Sequence, residues 1–489
     1  MRGADVGYTL GMLTQLITPL IVIYVAVVVV ILIYEDRDPS TTLAWLLILL
    51  FLPVVGIPLY FFAGRVWPWK RHRTRVDAAN AAEAHRVLPA VYAAHQLWAN
   101  ARRARYDGTD VAKIITMIER QSDGHPMPAE TVEIFTSGAE KFDRLIADIE
   151  AATDHVHLQY FIWERDALTA RVADVLRRKV AEGVTVRVMY DFVGSLTYRK
   201  DELKTLERAG VHVGADLTKF NELNYRNHLK IAVIDGCIGY TGGMNMGQEY
   251  IDGGERFDMW RDTHMRVSGP FVAELQRLFV ARWFSNRTES LWTERYFPVQ
   301  RLADPSSAIM LQLVHSSVGD QWEAVKQTFL QAVASADRSV RIQSPYFVPD
   351  QSFYDTLLSV GLAGIDVRFM MTGVPDKKIA FWAARTYFPK VVASGVRAYQ
   401  YTAGFFHAKS LAVDSMFCAI GTANIDVRSF SLHDELAVFI YDEEITRQIE
   451  LHFEEDLFYC REITAEELLA DGRLLRFRNS VMRLASRAL

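Results

Sequence analysis

Two separate stretches of the chain carry the same chemically active residue types at the same spacing. Both follow the pattern H-x-K-x4-D-x6-G-[GT]-x-N, in which x is any residue. The matching residues are His228, Lys230, Asp235, Gly243 and Asn245 in the first stretch and His407, Lys409, Asp414, Thr422 and Asn424 in the second. One such stretch would be weak evidence, but two copies with identical spacing make chance a poor explanation.

These residue types fit the exchange of a phosphodiester without a metal or other cofactor. A neutral imidazole can attack phosphorus and form a phosphohistidine, while a second imidazole protonates the leaving alkoxide and later activates an incoming alcohol. Lysines and asparagines can hold the non-bridging oxygens as charge moves in the transition state. The candidate catalytic residues are His228, Lys230, Asp235, His407, Lys409 and Asp414, and the candidate substrate-binding residues are Gly243, Asn245, Thr422 and Asn424.

Each motif must lie on a strand if its residues are to act together. Residues i and i+2 of a strand point to the same face, so each histidine would stand beside its lysine while Leu229 faces a core. The glycine after the strand lets the backbone turn tightly and brings the asparagine towards the same cleft. Asp235 and Asp414 close their strands, so we expect structural roles for them before contact with substrate.

The surroundings of the two motifs also repeat, at an interval of about 179 residues. Strands alternate with helical stretches, which predicts βαβ units: a duplicated α/β domain with two mainly parallel sheets, flanking helices and a pseudo-two-fold axis. The predicted strands are Val156–Trp163 and Gly183–Asp191 in the first half and Val340–Phe347 and Gly364–Met371 in the second. We place the halves at residues 128–303 and 304–489.

The first 64 residues read as a membrane hairpin. Val6–Tyr34 and Pro39–Gly64 contain no charged residue, and each exceeds the roughly 20 residues that cross a bilayer. Pro53, Gly56 and Pro58 would kink the second span. Five basic residues follow directly between Arg65 and Arg75, so we expect the remaining chain on the cytoplasmic side, beginning with a basic and helical connector over residues 65–127.

Composition excludes several other classes of protein. Three scattered cysteines are too few for a disulfide framework or a cysteine-rich zinc site. A formal net charge of −5 argues against a protein that binds nucleic acid through bulk positive charge. An ordinary content of 50% hydrophobic residues excludes a disordered chain.

The paired motifs resemble those of the phospholipase D superfamily and, more narrowly, of its bacterial cardiolipin synthases. Further stretches carry the same resemblance over nearly the whole chain: Asp38–Trp45, Phe51–Tyr60, Met259–His264, Ser344–Pro349 and Gly421–Phe430. Two positions depart from the family pattern, Leu229 inside the first motif and His433 after the second. The departure at His433 puts one hydrogen bond near the second histidine in doubt.

The resemblance implies one active site at the interface of the halves, with His228 as nucleophile and His407 as acid and base. It also implies the reaction, in which two phosphatidylglycerol molecules give cardiolipin and glycerol. The implied partners are therefore these lipids and the bilayer, with no nucleic acid, and a homo-oligomer is left open. The implied location is the bacterial inner membrane, as a multi-pass protein with a cytoplasmic catalytic domain.

A nucleophilic histidine needs an acceptor on its second ring nitrogen. When the halves are aligned beyond the glycine turn, Trp260–Val267 matches Leu432–Phe439. This alignment assigns Asp262 to His228 and Glu435 to His407 as orienting carboxylates.

Other interpretations use the same residues. A phospholipase D would pass the phosphatidyl group to water, and a phosphatidylserine synthase would pass it to serine. A membrane-anchored nuclease would want a basic groove, and a binding scaffold would not need two intact motifs. Two basic and aromatic segments, 377–393 and the amphipathic C-terminal helix, could contact lipid or pack on the domain.

Overall fold

The computed structural model describes residues 19, 22–34, 39–60, 78–196, 200–216, 225–287 and 289–485. The chain divides into two compact units, residues 1–75 with 219–224, and residues 76–218 with 225–489.

The first unit contains three described helices, α1 (22–34), α2 (Pro39–Phe51) and α3 (Pro53–Leu59). The helical structure is interrupted at Leu52, between α2 and α3, because Pro53 lacks the amide proton needed to continue a helix. Tyr24 donates a hydrogen bond to the carbonyl of Leu49 across the unit. Among the described residues, none of the helices combines the length and the apolar character needed to cross a bilayer. Parts of both predicted spans lie outside the described residues.

Two large sheets with the same strand order dominate the described part of the second unit, beside two short two-stranded sheets. The first sheet runs β2-β10-β8-β7-β3-β4-β5, and the second runs β11-β20-β18-β17-β12-β14-β15, extended by β1 at one edge and β21 at the other. In chain order the strands are β1 Met127–Ala129, β2 Thr131–Phe135, β3 His155–Tyr160, β4 Thr185–Asp191, β5 His212–Asp216, β6 Arg226–Asn227, β7 Ile231–Ile234, β8 Ile238–Gly242, β9 Trp260–Arg261, β10 His264–Ser268, β11 Ile309–Ser316, β12 Ser339–Gln343, β13 Phe347–Val348, β14 Asp366–Thr372, β15 Arg397–Tyr401, β16 Phe405–Phe406, β17 Ser410–Val413, β18 Phe417–Gly421, β19 Ile425–Asp426, β20 His433–Tyr441 and β21 Cys460–Glu462. The shared order confirms the predicted duplication.

Helices flank both sheets, as the alternation of strands and helical stretches predicts. They are α4 (78–84), α5 Leu88–Arg103, α6 Asp110–Ser122, α7 Gly138–Ala151, α8 Ala167–Ala181, α9 Lys200–Arg208, α10 Glu249–Asp252, α11 Val272–Arg287, α12 Ala324–Ala334, α13 Gln351–Leu362, α14 Lys378–Ala384, α15 Phe388–Ala393, α16 Val427–Ser431, α17 Glu443–Leu457, α18 Ala465–Ala470 and α19 Arg473–Ala485. The halves share one apolar core, in which Val267 and Phe279 of the first half lie with Leu313 and Val438 of the second.

The prediction of mainly parallel sheets is wrong. Along the two strand paths, only β3, β4 and β5 and their counterparts β12, β14 and β15 pair in parallel, and the other neighbours are antiparallel. The reason is the length of the connections after each motif strand. Three residues join β7 to β8 and three join β17 to β18, and so short a link permits only a hairpin.

The motif strands are also shorter than predicted. They begin at Ile231 and Ser410, so each histidine and lysine lies in the extended segment that leads into the strand. Tight turns follow, with positive φ angles at Asp235 (51°) and Gly236 (66°) and at Asp414 (54°) and Ser415 (57°).

The motif aspartates do not reach the histidines. Asp235 lies seven residues beyond His228, about 20 Å along an extended chain. Its carboxylate accepts hydrogen bonds of 2.7–2.9 Å from the backbone N–H groups of Thr153, Asp154 and His155. Asp414 accepts the same three bonds from residues 337, 338 and 339 at 2.7–2.8 Å. These hydrogen bonds are the structural role that we expected first, and a direct part of Asp235 and Asp414 in catalysis stays a prediction.

The mutation Asp235→Ala should reduce stability rather than chemistry. Three backbone donors would lose their acceptor, and we expect the free energy of unfolding to fall by about 2–4 kcal/mol. Urea unfolding of the purified full chain measures this change, and Asp414→Ala is the matched control and should lose a similar amount. A stable but inactive Asp235→Ala protein would indicate that Asp235 acts directly in catalysis.

Candidate active site

Each motif enters the site by pairing with a strand of the other half. β6, just before the first motif, lies parallel to β20, and the N–H of His228 donates to the carbonyl of Asp434 at 3.1 Å. β16, just before the second motif, lies parallel to β9, and the N–H of His407 donates to the carbonyl of Arg261 at 2.7 Å. Both histidines are thereby held by backbone from across the interface.

The orienting carboxylates are exchanged between the halves in the same way. Nδ1 of His228 lies 3.0 Å from Oε1 of Glu435 and 3.1 Å from the carbonyl oxygen of Thr422. Nδ1 of His407 lies 2.7 Å from Oδ2 of Asp262. The assignment of Asp262 to His228 and Glu435 to His407 is therefore wrong. Asp262 directly follows Arg261, whose carbonyl binds His407, and Glu435 directly follows Asp434, whose carbonyl binds His228. The strand pairing across the interface therefore brings each carboxylate to the histidine of the other half.

These contacts determine which nitrogen of each histidine can react. All the partners of Nδ1 are acceptors, so Nδ1 carries the proton and Nε2 keeps its lone pair. Burial lowers the pKa of both imidazoles below the ordinary range, since only 7% of His228 and 8% of His407 is exposed. Burial is the largest influence and would raise the pKa of each carboxyl, but the adjacent histidine together with the other charges and hydrogen bonds around it outweighs burial and lowers the pKa. Both pairs therefore consist of a neutral imidazole and an ionised carboxylate.

Both motif lysines are buried within the same cluster. Nζ of Lys230 donates to the carbonyl of His228 at 2.7 Å, and Nζ of Lys409 donates to that of His407 at 2.6 Å. Burial lowers the pKa of Lys230 to about 7 and that of Lys409 to about 8. The Lys409 ammonium adds to the lowering of the Lys230 pKa, as expected for two cations that the halves bring close together. An anion between the lysines would relieve their repulsion.

The shifted lysines predict a falling alkaline limb in the pH profile. An ammonium is charged only below its pKa, so kcat/KM should drop at least about tenfold between pH 7 and pH 9. A bound phosphodiester favours the charged form, so the limb in kcat should lie at higher pH than the limb in kcat/KM. The variant Lys230→Arg keeps its charge throughout and should move the limb upward. An unchanged limb in that variant would contradict the assignment to Lys230.

Gly243 and Thr422, at the glycine turn that follows each motif strand, contact the orienting carboxylates. A Cβ on Gly243 would lie 1.9 Å from Oδ1 of Asp262, so this glycine makes room for the carboxylate. The hydroxyl of Thr422 donates to Oε2 of Glu435 at 2.5 Å. Gly243 and Thr422 therefore support the orienting carboxylates, and their binding of substrate stays a prediction.

The two asparagines differ in their surroundings. Asn245 accepts from the N–H of Ile162 at 3.3 Å and donates to the hydroxyl of Tyr250 at 2.7 Å, so its amide is engaged within the protein. Oδ1 of Asn424 is buried and makes no hydrogen bond within the described part of the chain. Asn424 is thus the more available of the pair for a ligand, and its role with substrate stays a prediction.

Phe161, Trp260 and His433 also lie near the two histidines, although no repeated spacing in the sequence marks them as part of the site. The ring of Phe161 lies 5.0 Å from that of His228, with Nζ of Lys230 at 5.5 Å from the same ring. The ring of Trp260 lies 5.8 Å from that of His407. His433, flagged above as a departure, places Nδ1 3.5 Å from Oε1 of Glu435. Only His433 and Trp260 could have been noticed beforehand, because they adjoin Glu435 and Asp262 in the aligned segments.

Family models match most of the regions just described. A model described as cardiolipin synthase, PLD-like domain, matches residues 145–283 and 329–457, one match in each half. A second model, described as phospholipase D-nuclease N-terminal, matches residues 20–65.

Individual relatives are similar over almost their full length. The chain is 37% identical over 481 residues to the major cardiolipin synthase ClsA of Bacillus subtilis, covering 95% of this chain and 97% of the relative. It is 35% identical to a cardiolipin synthase of Listeria monocytogenes, covering 98% and 99%. Among solved structures, phosphatidylserine synthase from Haemophilus influenzae matches with a TM-score of 0.60 at 14% identity, over 78% of this chain and all of that one, which shows a shared fold.

Proposed function

The chain belongs to the cardiolipin synthase family of PLD-like proteins, and from that premise we propose that it transfers a phosphatidyl group from one phosphatidylglycerol to another. The product is cardiolipin and the leaving group is glycerol. The observation that carries the proposal is the pair of buried histidines, each with Nδ1 held by a carboxylate and Nε2 left to react, around a shared pair of lysines.

In the first step, Nε2 of His228 attacks phosphorus of the donor lipid. The bond from phosphorus to the glycerol oxygen breaks, and His407 supplies the proton that this oxygen takes. His407 is neutral in the free enzyme, but a bound phosphodiester brings a negative charge beside it and favours its protonated form. The ionised Asp262 stabilises that imidazolium from the other side. The result is a phosphatidyl-His228 and free glycerol.

In the second step, a head-group hydroxyl of another phosphatidylglycerol replaces glycerol. Neutral His407 accepts the hydroxyl proton as the oxygen attacks phosphorus, and the bond from phosphorus to Nε2 of His228 breaks. Lys230 and Lys409 hold the non-bridging oxygens in both steps, where they stabilise charge that develops in the transition state. Burial of both histidines favours lipid over water as acceptor, since it restricts solvent at the reacting atoms.

The proposed location follows from the N-terminal residues. The family match over residues 20–65 coincides with the two uncharged stretches, and we propose that they anchor the protein in the bacterial inner membrane as a hairpin. The basic residues that follow favour a catalytic domain on the cytoplasmic side. An anchored site would meet its lipid alcohol at a high local concentration.

The products formed from phosphatidylglycerol alone test the proposal. We expect purified full-length protein in phosphatidylglycerol vesicles to release one glycerol for each cardiolipin formed. Phosphatidic acid in place of cardiolipin would make the protein a phospholipase D, and phosphatidylserine formed after addition of serine would make it a phosphatidylserine synthase. The double variant His228→Ala/His407→Ala, purified in the same way, controls for contaminating enzymes.

A further inference from the structure

The final described helix, α19, is amphipathic in an unusual sense, because its apolar face points away from the domain. Leu474, Phe477 and Leu484 are 81%, 68% and 82% exposed, and Val481 is 39% exposed. At 100° per residue these four side chains fall within one narrow sector of the helix. They form a continuous apolar stripe on the surface, which we call the outer stripe.

The opposite face of α19 is the one that packs on the domain. Asn479 is only 3% exposed. The guanidinium of Arg478 lies 4.3 Å from the ring centre of Trp382, and that of Arg483 lies 4.3 Å from the ring centre of Tyr387. These cation–π contacts hold α19 against α14 and the segment that follows it. The aromatic residues of segment 377–393 are therefore used inside the protein, and the outer stripe of α19 is left facing outward.

Exposed basic residues lie on α19 and on the helices near it. Arg473 and Arg476 are exposed on α19 itself, and Lys377, Lys378 and Lys390 are exposed at the neighbouring helices α14 and α15. Apolar side chains between cations match a surface of anionic head groups over acyl chains, with the cations at the level of the phosphates. A protein partner would require acidic residues at the same places, whereas the proposed substrate is itself an anionic lipid.

The helix α14, on which α19 packs, begins just after Asp376, a residue close enough to Lys409 to act on its charge. Asp376, just before α14, accepts a hydrogen bond from the hydroxyl of Tyr346 at 2.7 Å and acts electrostatically on Lys409. Nζ of Lys377 lies 5.3 Å from the ring centre of Tyr346. A lipid surface seated on the outer stripe would therefore adjoin the site in which lipids react.

We propose that the outer stripe of α19 inserts into the lipid surface and docks the catalytic domain on the bilayer that supplies its substrate. The insertion is separate from the N-terminal hairpin and uses a different part of the chain. It rests on the proposed function only in the identity of the lipid.

Photo-crosslinking tests what covers the outer stripe. The full chain is reconstituted in nanodiscs of phosphatidylglycerol and phosphatidylcholine, with Phe477→p-benzoylphenylalanine as the probe and Glu444→p-benzoylphenylalanine on α17 as the matched exposed control. We expect lipid adducts at position 477 in at least about tenfold excess over position 444. Adducts to the N-terminal segment or to a second copy of the chain, or no adducts at all, would each overturn the proposal. This readout does not depend on turnover, so it stands apart from the test of the reaction.

Activity supplies the second test. The triple variant Leu474→Ser/Phe477→Ser/Leu484→Ser should lose about tenfold in the rate on nanodisc phosphatidylglycerol while keeping its rate on a soluble short-chain phosphatidylglycerol. Leu362→Ser is the control, because Leu362 is 74% exposed on α13 outside the outer stripe. Equal losses on both substrates would indicate a folding defect and contradict docking. Full activity of the triple variant on nanodiscs would contradict it as well.

Discussion

His228→Ala should abolish phosphatidyl transfer, and His407→Ala should leave an enzyme that can still be trapped in mid-reaction. Removing the nucleophile eliminates the covalent path, for which we expect a loss of at least about 10⁴-fold. Removing the acid, His407, slows the first step less when the leaving group needs no proton. A phosphatidyl-p-nitrophenol substrate should therefore transfer its phosphatidyl group to His228 of the His407→Ala protein and release p-nitrophenolate. The reaction should then stall, because no base remains to activate the acceptor.

Mass spectrometry of the quenched His407→Ala protein measures this result. The phosphatidyl group should be found on the peptide that contains His228, and the His228→Ala protein should carry none. Because the two motifs are nearly symmetric, a modified His407 in the His228→Ala protein would exchange the two roles. Wild-type protein quenched at the same times provides the control for normal turnover of the intermediate.

Glu435→Gln and Asp262→Asn should impair different steps, because each carboxylate holds the histidine of the opposite half. An amide cannot fix the same tautomer or stabilise an imidazolium, and we expect losses of about 10²–10⁴-fold. With the activated substrate, Glu435→Gln should slow the burst of p-nitrophenol, since Glu435 orients His228 at 3.0 Å. Asp262→Asn should keep the burst and slow the later transfer, since Asp262 orients His407 at 2.7 Å.

Stopped-flow measurement of the burst and of the steady-state rate separates the two variants. Lipid binding should stay intact in both, because neither carboxylate faces the substrate. The opposite result, with the burst slowed by Asp262→Asn, would make His407 the nucleophile, because Asp262 contacts His407 in the structure. Thr422→Val provides a milder control: loss of its hydroxyl removes one hydrogen bond from Glu435 and should slow the burst less than Glu435→Gln does.

Much of this architecture can be predicted from local patterns. The repeat indicates two copies of one domain, and the shared strand order confirms it. Parallel strands were overestimated because βαβ units are visible in sequence, whereas a three-residue hairpin link such as 235–237 shows only as a short gap. An alignment of the halves identifies the carboxylates Asp262 and Glu435 but assigns each to the wrong histidine, since an alignment compares positions and contains no information about which half a side chain contacts.

Residue types and their spacing determined the chemistry on their own: two histidines, two lysines and the order in which they occur. They also determined the uncharged N-terminal stretches and the duplicated fold. Only the tertiary structure decided that each histidine contacts its carboxylate across the interface. It also decided that Asp235 and Asp414 accept hydrogen bonds from backbone N–H groups, and that Gly243 leaves room for the carboxylate of Asp262. Such facts depend on contacts between residues as much as 207 positions apart. Those contacts arise only when apolar residues of the two halves pack into one core, which brings each histidine to the carboxylate of the other half.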